Sequence, residues 1–213
     1  MKVVAVLNQK GGSGKSTIAT NLARALQRRE CRVMVADCDA QGTARDWALS
    51  APDGQAVPHV AGHERPVLEK QLPDVSASFD VCVIDGAAKI ERLSVSAIKA
   101  ADVVLIPVQP SAADLWAAED LVELIRARRE LTGSPEAAFV VSRAVVGTRV
   151  AGAAAEALER FGLPLLEGRT HQRVAYTEAM GQGRGVQDLD DASKASREID
   201  RITDEVQQLL RDS

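Results

Sequence analysis

The feature that most constrains this chain is Lys10-Gly11-Gly12-Ser13-Gly14-Lys15-Ser16-Thr17, set between an apolar run from Val3 to Leu7 and an amphipathic helical pattern beginning near Ser16. A strand, a glycine loop and a helix in that order make the context a phosphate-binding loop requires. Glycines 11, 12 and 14 let the backbone turn sharply and carry successive N–H groups close to phosphate oxygens. The helix that follows adds its positive end. Lys15 is spaced to reach β- and γ-phosphates, and the Ser16 hydroxyl to ligate Mg²⁺. A sheet-and-helix nucleotide-binding architecture follows from this stretch.

The rest of the chain fits that architecture. Apolar runs of strand length alternate with helical patterns, the signature of a parallel sheet covered on both faces. Strands are expected at Lys2–Asn8, Arg32–Asp37, Val57–Ala61, Val81–Asp85, Val103–Val108 and Ala137–Val141, with a weaker one near Leu163–Leu166. Helices are expected at Lys15–Arg29, Thr43–Leu49, Pro66–Gln71, Leu93–Ala100, Ala112–Leu131, Val150–Phe161, Val174–Met180 and Ala192–Arg211. On the last of these, Ile199, Ile202, Val206, Leu209 and Leu210 form the apolar stripe.

Two acidic segments should meet the loop. The second strand ends in Asp37-Cys38-Asp39, at the carboxyl edge where open α/β sheets bind ligands. There Asp37 would orient waters around Mg²⁺ and Asp39 would hold an attacking water. The competing reading is a helix cap followed by a turn aspartate. Val81-Cys82-Val83-Ile84-Asp85 is a buried strand ending in an acid, the Walker-B pattern, whose Asp85 holds Mg²⁺ through water. Gly86 permits a mobile turn over Asp85 to Lys89.

The loop departs from the general pattern: Gln9 stands where the first glycine usually falls, and Lys10 precedes the glycines. In this it resembles the deviant phosphate loop of the ParA/MinD family of ATPases. The resemblance spans essentially all 213 residues and is nearest the short ParA type without an N-terminal helix-turn-helix domain. It implies a single ParA-like ATPase domain over residues 1–213, with a three-layer P-loop NTPase fold: a mostly parallel, twisted sheet with helices on both faces. It also implies ATP and Mg²⁺ as ligands, with Lys10 crossing a dimer interface to the other subunit's nucleotide. Asp39 becomes the hydrolytic residue, and Pro110, Ser142 and Arg143 flank the adenine. Two triphosphates buried face to face need cations from both subunits, which gives Lys10 its physical sense.

The same resemblance implies an ATP-dependent homodimer that binds nonspecific double-stranded DNA and is released when a ParB-like cargo adaptor stimulates hydrolysis. Gly168 to Tyr176 is similar to a family segment whose arginines grip DNA. Arg149, Arg169, Arg173, Lys194, Arg197 and Arg201 are the candidate phosphate contacts. Against each arginine stands an ordinary surface ion pair. Net charge is only −4, and a local basic patch is compatible with it. Aromatics are scarce, against a base-stacking surface for single strands. Trp47 and Trp116 are expected to pack, and His59, His63 and His171 are isolated in sequence.

Three cysteines without metal-ligand spacing suit reduced thiols, and with the first strand expected from Lys2 no signal peptide is expected. No apolar stretch approaches the ~20 residues of a membrane span. A cytoplasmic, nucleoid-associated protein is expected. The alternatives are a MinD-like membrane-associated ATPase and a metabolic P-loop enzyme. The acidic end Leu209 to Ser213 lacks the basic, bulky face of the first, and no paired cysteines or added catalytic constellation mark the second. Plasmid, chromosome and carboxysome all remain open as cargo.

Overall fold

A computed structural model describes residues 1–87, 92–111, 116–145, 158 and 160–213. Among them, seven strands form one sheet: β1 (Lys2–Val6), β2 (Val33–Asp37), β3 (His59–Gly62), β4 (Val81–Asp85), β5 (Val103–Val108), β6 (Glu136–Ala144) and β7 (Leu165–His171). Their order is β3-β2-β4-β1-β5-β6-β7, and every pairing is parallel. The described helices are α1 (Lys15–Arg28), α2 (Thr43–Leu49), α3 (Leu68–Val75), α4 (Arg92–Ala100), α5 (Glu119–Thr132), α6 (Val174–Gly181), α7 (Val186–Leu189) and α8 (Lys194–Asp212).

Side-chain alternation along the strands builds two cores. Val4, Val6, Val33, Val35, Val81, Val83, Val103 and Leu105 face α1 and α8, meeting Ile18, Leu22, Leu26, Ile199, Ile202 and Val206. Their neighbours Val3, Ala5, Met34, Ala36, Cys82, Ile84, Val104 and Ile106 face α3, α4 and α5. Both faces are therefore apolar, which is why these strands read as continuous hydrophobic runs. The α8 stripe is buried as its spacing requires, with Leu209 only partly covered.

Some expectations need correction and others lie outside the described residues. β7 spans Leu165–His171, so the weaker strand expected near Leu163–Leu166 begins two residues later and runs five residues further. Its Glu167 is exposed and Arg169 half-exposed between buried neighbours, so its alternating polarity masked the strand. Trp47 is buried and donates its indole N–H to the Arg184 carbonyl at 3.0 Å, as packing requires. Trp116 does not pack: it is 70% exposed. The helix expected from Val150 lies almost wholly outside the described residues, as do Arg149 and Lys89.

Candidate functional site

Register places the acidic groups. Val6 pairs with Asp85, and Asp85 with Asp37, so the ends of β1, β4 and β2 form one rung of the sheet. The glycine loop leaves β1 just above that rung and turns into α1 through Gly14, whose φ of 95° a side chain would resist. An open cleft of about 1360 Å³ lies over the loop. Gly11, Gly12, Gly14, Lys15, Ser16, Thr17, Asp37 and Asp39 line one part of it; Arg143 and the segment Thr170 to Thr177 line another.

The loop is held from below. Asn8 Oδ1 accepts the Lys10 N–H at 2.8 Å, while its amide donates to the Pro107 carbonyl at 2.5 Å. Gln109 Nε2 donates to the Gly12 carbonyl at 2.8 Å, and Arg143 Nη1 reaches the same oxygen at 3.3 Å. Ser142 is buried and its hydroxyl donates to the Ser13 carbonyl. Ser142 thus braces the loop from underneath; Arg143, at φ 53°, faces the cleft, and Pro110 does not line it. Asn8 and Gln109 support the loop through contacts about a hundred residues away in the chain, which adjacency in sequence does not reveal.

Among the described residues, Lys15 and Asp85 are poorly satisfied. Lys15 is 6% exposed, and its ammonium donates to the Lys10 carbonyl at 3.2 Å. Burial lowers its pKa, with Asp85 and Asp39 opposing the shift. Asp85 is fully buried; the Ser16 side chain lies beside it, but neither carboxylate oxygen makes a hydrogen bond of normal geometry among the described residues. Burial pushes its pKa up to about 7; Asp37 and Asp39 raise it further, while the neighbouring Ser16 side chain and Lys15 pull it down. Two orphaned buried oxygens beside a serine hydroxyl are the donor set a hard divalent cation takes. The residues fit magnesium.

Asp37 is differently placed. Its Oδ1 accepts the Asp39 N–H at 3.1 Å, and its Oδ2 accepts the backbone N–H and Nε of Arg45 at 3.1 and 3.2 Å. Asp39 lines the cleft and its Oδ1 accepts the Gln41 N–H at 2.9 Å. Arg45 carried no signal in sequence, because its role depends on a strand end folded against the helix.

At the β7 end a second cluster closes the cleft. Glu198 accepts from Arg173 Nε at 2.9 Å and Nη2 at 2.5 Å, and from the Tyr176 hydroxyl at 2.9 Å. His171 adds its N–H at 3.1 Å and places Nδ1 2.7 Å from the same carboxylate. Burial alone would raise the pKa of Glu198, but these bonds outweigh it and hold the carboxyl below its usual range. His63 and His171, isolated in sequence, both line the cleft. Among the DNA candidates, Arg173 is bound to Glu198, and Arg201 pairs with Glu167 and Glu205. Arg169 Nε reaches the Glu167 carbonyl at 3.3 Å, Arg197 Nη1 the Ala192 carbonyl at 2.6 Å, and Lys194 is exposed.

A glycine loop at the carboxyl edge of an all-parallel sheet with this strand order defines a P-loop NTPase fold. The model of the CobQ/CobB/MinD/ParA nucleotide binding domain matches residues 4–207, and the chain belongs to that family. It is 32% identical over 208 residues, 95% of each chain, to the Maintenance of carboxysome distribution protein A of Halothiobacillus neapolitanus. The fold superposes on MinD of Pyrococcus horikoshii complexed with Mg-ADP with a TM-score of 0.79, at 17% identity over 98% of this chain and 96% of that one. An ATP complex of a Cyanothece McdA variant gives 0.77, at 17% identity over 99% and 96%. At such identities the two structures speak for the fold alone.

Proposed function

We propose that this chain is an ATP- and Mg²⁺-dependent positioning ATPase, one domain over residues 1–213, that works as a nucleotide-bridged homodimer. The observation that carries the reading is the loop itself: a lysine on either side of its glycines, above a buried Asp85 whose two carboxylate oxygens make no hydrogen bond of normal geometry among the described residues. Lys15, released from the Lys10 carbonyl, takes the β- and γ-phosphates, and the N–H groups at the start of α1 take the remaining oxygens. Ser16 and Asp85 would hold magnesium, which would supply positive charge to the phosphates. Asp39, on the cleft wall, orients the attacking water. Lys10 reaches the nucleotide of the second copy, where clustered phosphate charge demands it.

The assembled dimer binds nonspecific DNA on the nucleoid through its outward arginines, and a ParB-like adaptor on the cargo stimulates hydrolysis and release. The relative from Halothiobacillus favours a protein organelle such as the carboxysome as cargo, over a plasmid or chromosome.

Light scattering with a saturating non-hydrolysable ATP analogue and Mg²⁺ tests the reading. The native chain should double in mass, and Lys10→Ala should bind the analogue yet stay single. With ATP itself, Asp39→Ala should remain dimeric and leave DNA more slowly than the native chain. A native protein that stays single under saturation overturns the proposal.

A further inference from the structure

Among the charged side chains around the cleft, Arg45 is unusual in touching Asp37 twice. As the third residue of α2, it donates its backbone N–H to Asp37 Oδ2 at 3.1 Å, one of the donors a helix start leaves without an internal partner. Its Nε donates to the same oxygen at 3.2 Å, and Nη2 reaches the Asp39 carbonyl at 3.4 Å. The Asp37 side chain is wholly buried, whereas that of Arg45 is 38% exposed. A buried carboxylate needs such a counter-charge, because desolvation without one is costly.

The guanidinium lies in a slot kept open by two glycines. A Cβ on Gly42 would stand 3.0 Å from Nη2, and one on Gly62 would stand 3.2 Å from Nη1. Gly62 is the last residue of β3, the strand that pairs with β2 so that Asp37 lies opposite it. One arginine therefore ties together a carboxylate at the magnesium side of the cleft, the backbone of the proposed hydrolytic residue and the start of α2. A lysine at the position would keep the charge but lose the fork that reaches two acceptors.

We infer that Arg45 is a positioning residue for the magnesium site: it fixes the Asp37 carboxylate and the Asp37–Gly42 loop in the orientation that Mg²⁺ with nucleotide selects. The inference rests on the ATPase reading and goes beyond it, since Arg45 does not line the cleft. Outer-shell partners of this kind typically change metal affinity by about 10–100-fold when removed.

The test is a Mg²⁺ titration of the binding of a fluorescent ATP analogue by the full chain. In Arg45→Ala the Mg²⁺ concentration at the midpoint should rise by about 10-fold or more. Binding in the presence of a chelator, which reports the glycine loop and Lys15, should stay at the native level. Arg45→Lys should recover part of the shift. Gly62→Ala retains every charge and crowds the Arg45 side chain, whose Nη1 and Cδ would lie 3.2 and 3.3 Å from the new Cβ, so its midpoint should move the same way as that of Arg45→Ala by a smaller amount. Native binding with native Mg²⁺ midpoints in both Arg45→Ala and Gly62→Ala overturns this inference and leaves the ATPase reading standing. A native chain that binds no analogue at any Mg²⁺ concentration overturns both together.

Discussion

The glycine-loop side of the cleft and the β7 side use charge in opposite ways. Around the loop, Lys15 rests on a backbone carbonyl and the Asp85 carboxylate makes no hydrogen bond of normal geometry among the described residues. At β7, Glu198 receives bonds from Arg173, His171 and Tyr176 at once, so each polar group in that cluster meets an opposite one. Buried polar groups in a folded chain are nearly always satisfied, so a buried carboxylate left open marks where something else binds. A saturated cluster instead holds elements in place. Here it fixes α8 and the start of α6 to the end of β7, giving the cleft a rigid wall beside its responsive one.

That contrast is broken or sharpened first at Lys15. If the loop side is kept for a ligand, Lys15→Ala should weaken nucleotide binding by about 10²-fold or more, since a desolvated charge-assisted contact to phosphate is lost. Thermal unfolding of the nucleotide-free variant should be unchanged or slightly higher, because a buried cation resting on one carbonyl contributes little to folding. A variant that binds nucleotide normally but unfolds early would reverse the assignment and make the loop lysine a structural group.

The second prediction concerns the saturated side. Glu198→Gln keeps the shape but weakens the charge-assisted bonds from Arg173, His171 and Tyr176, and should destabilise the chain by about 1–3 kcal/mol at neutral pH. The pH dependence has a definite sign. Glu198 titrates below its unfolded value of about 4.3, so the stability it supplies is complete above that value and is lost as pH falls through the folded pKa. The gap between native and variant should therefore be widest near neutrality and close in acid. A gap that widens as pH falls would mean that the cluster does not stabilise the ionised carboxylate. Nucleotide affinity should change far less than in Lys15→Ala.

The two sides also differ in how readily sequence reveals them. The loop side was legible because its parts are contiguous: Lys10 to Thr17 is one run, and Asp37 and Asp85 each end an apolar strand. The sheet order was not legible, yet parallel pairing brings those strand ends into register without further instruction. On the β7 side the parts are dispersed. Glu198 sits on α8, Tyr176 on α6 and His171 on an edge strand whose alternating polar residues hide it. Arg173 and Arg201 look like free basic groups in sequence because their partners Glu198, Glu167 and Glu205 are assigned only by folding. Arg45 escaped notice for the same reason, as did the presence of His63 and His171 in the cleft. Trp116 shows the converse error, since an aromatic on an expected helix was assigned to packing and stands in solvent.

The smallest expected effect lies on the outer face of α8, where the contrast between satisfied and unsatisfied charge reappears. Arg201 is engaged by Glu167 and Glu205, whereas among the described residues the Arg197 guanidinium meets only the Ala192 carbonyl. A guanidinium already paired with carboxylates must give up those bonds to meet a phosphate, while one on a carbonyl carries its full charge outward. Each phosphate neutralised contributes about 0.9 to the slope of log affinity against log salt. In the ATP-bound state of Asp39→Ala, adding Arg197→Ala should lower that slope by about one and weaken binding equally for all DNA sequences. Arg201→Ala should change the slope by less. If Arg201→Ala has the larger effect, the ion pairs on α8 open in the dimer, and satisfaction within a single copy no longer predicts which charges serve the partner.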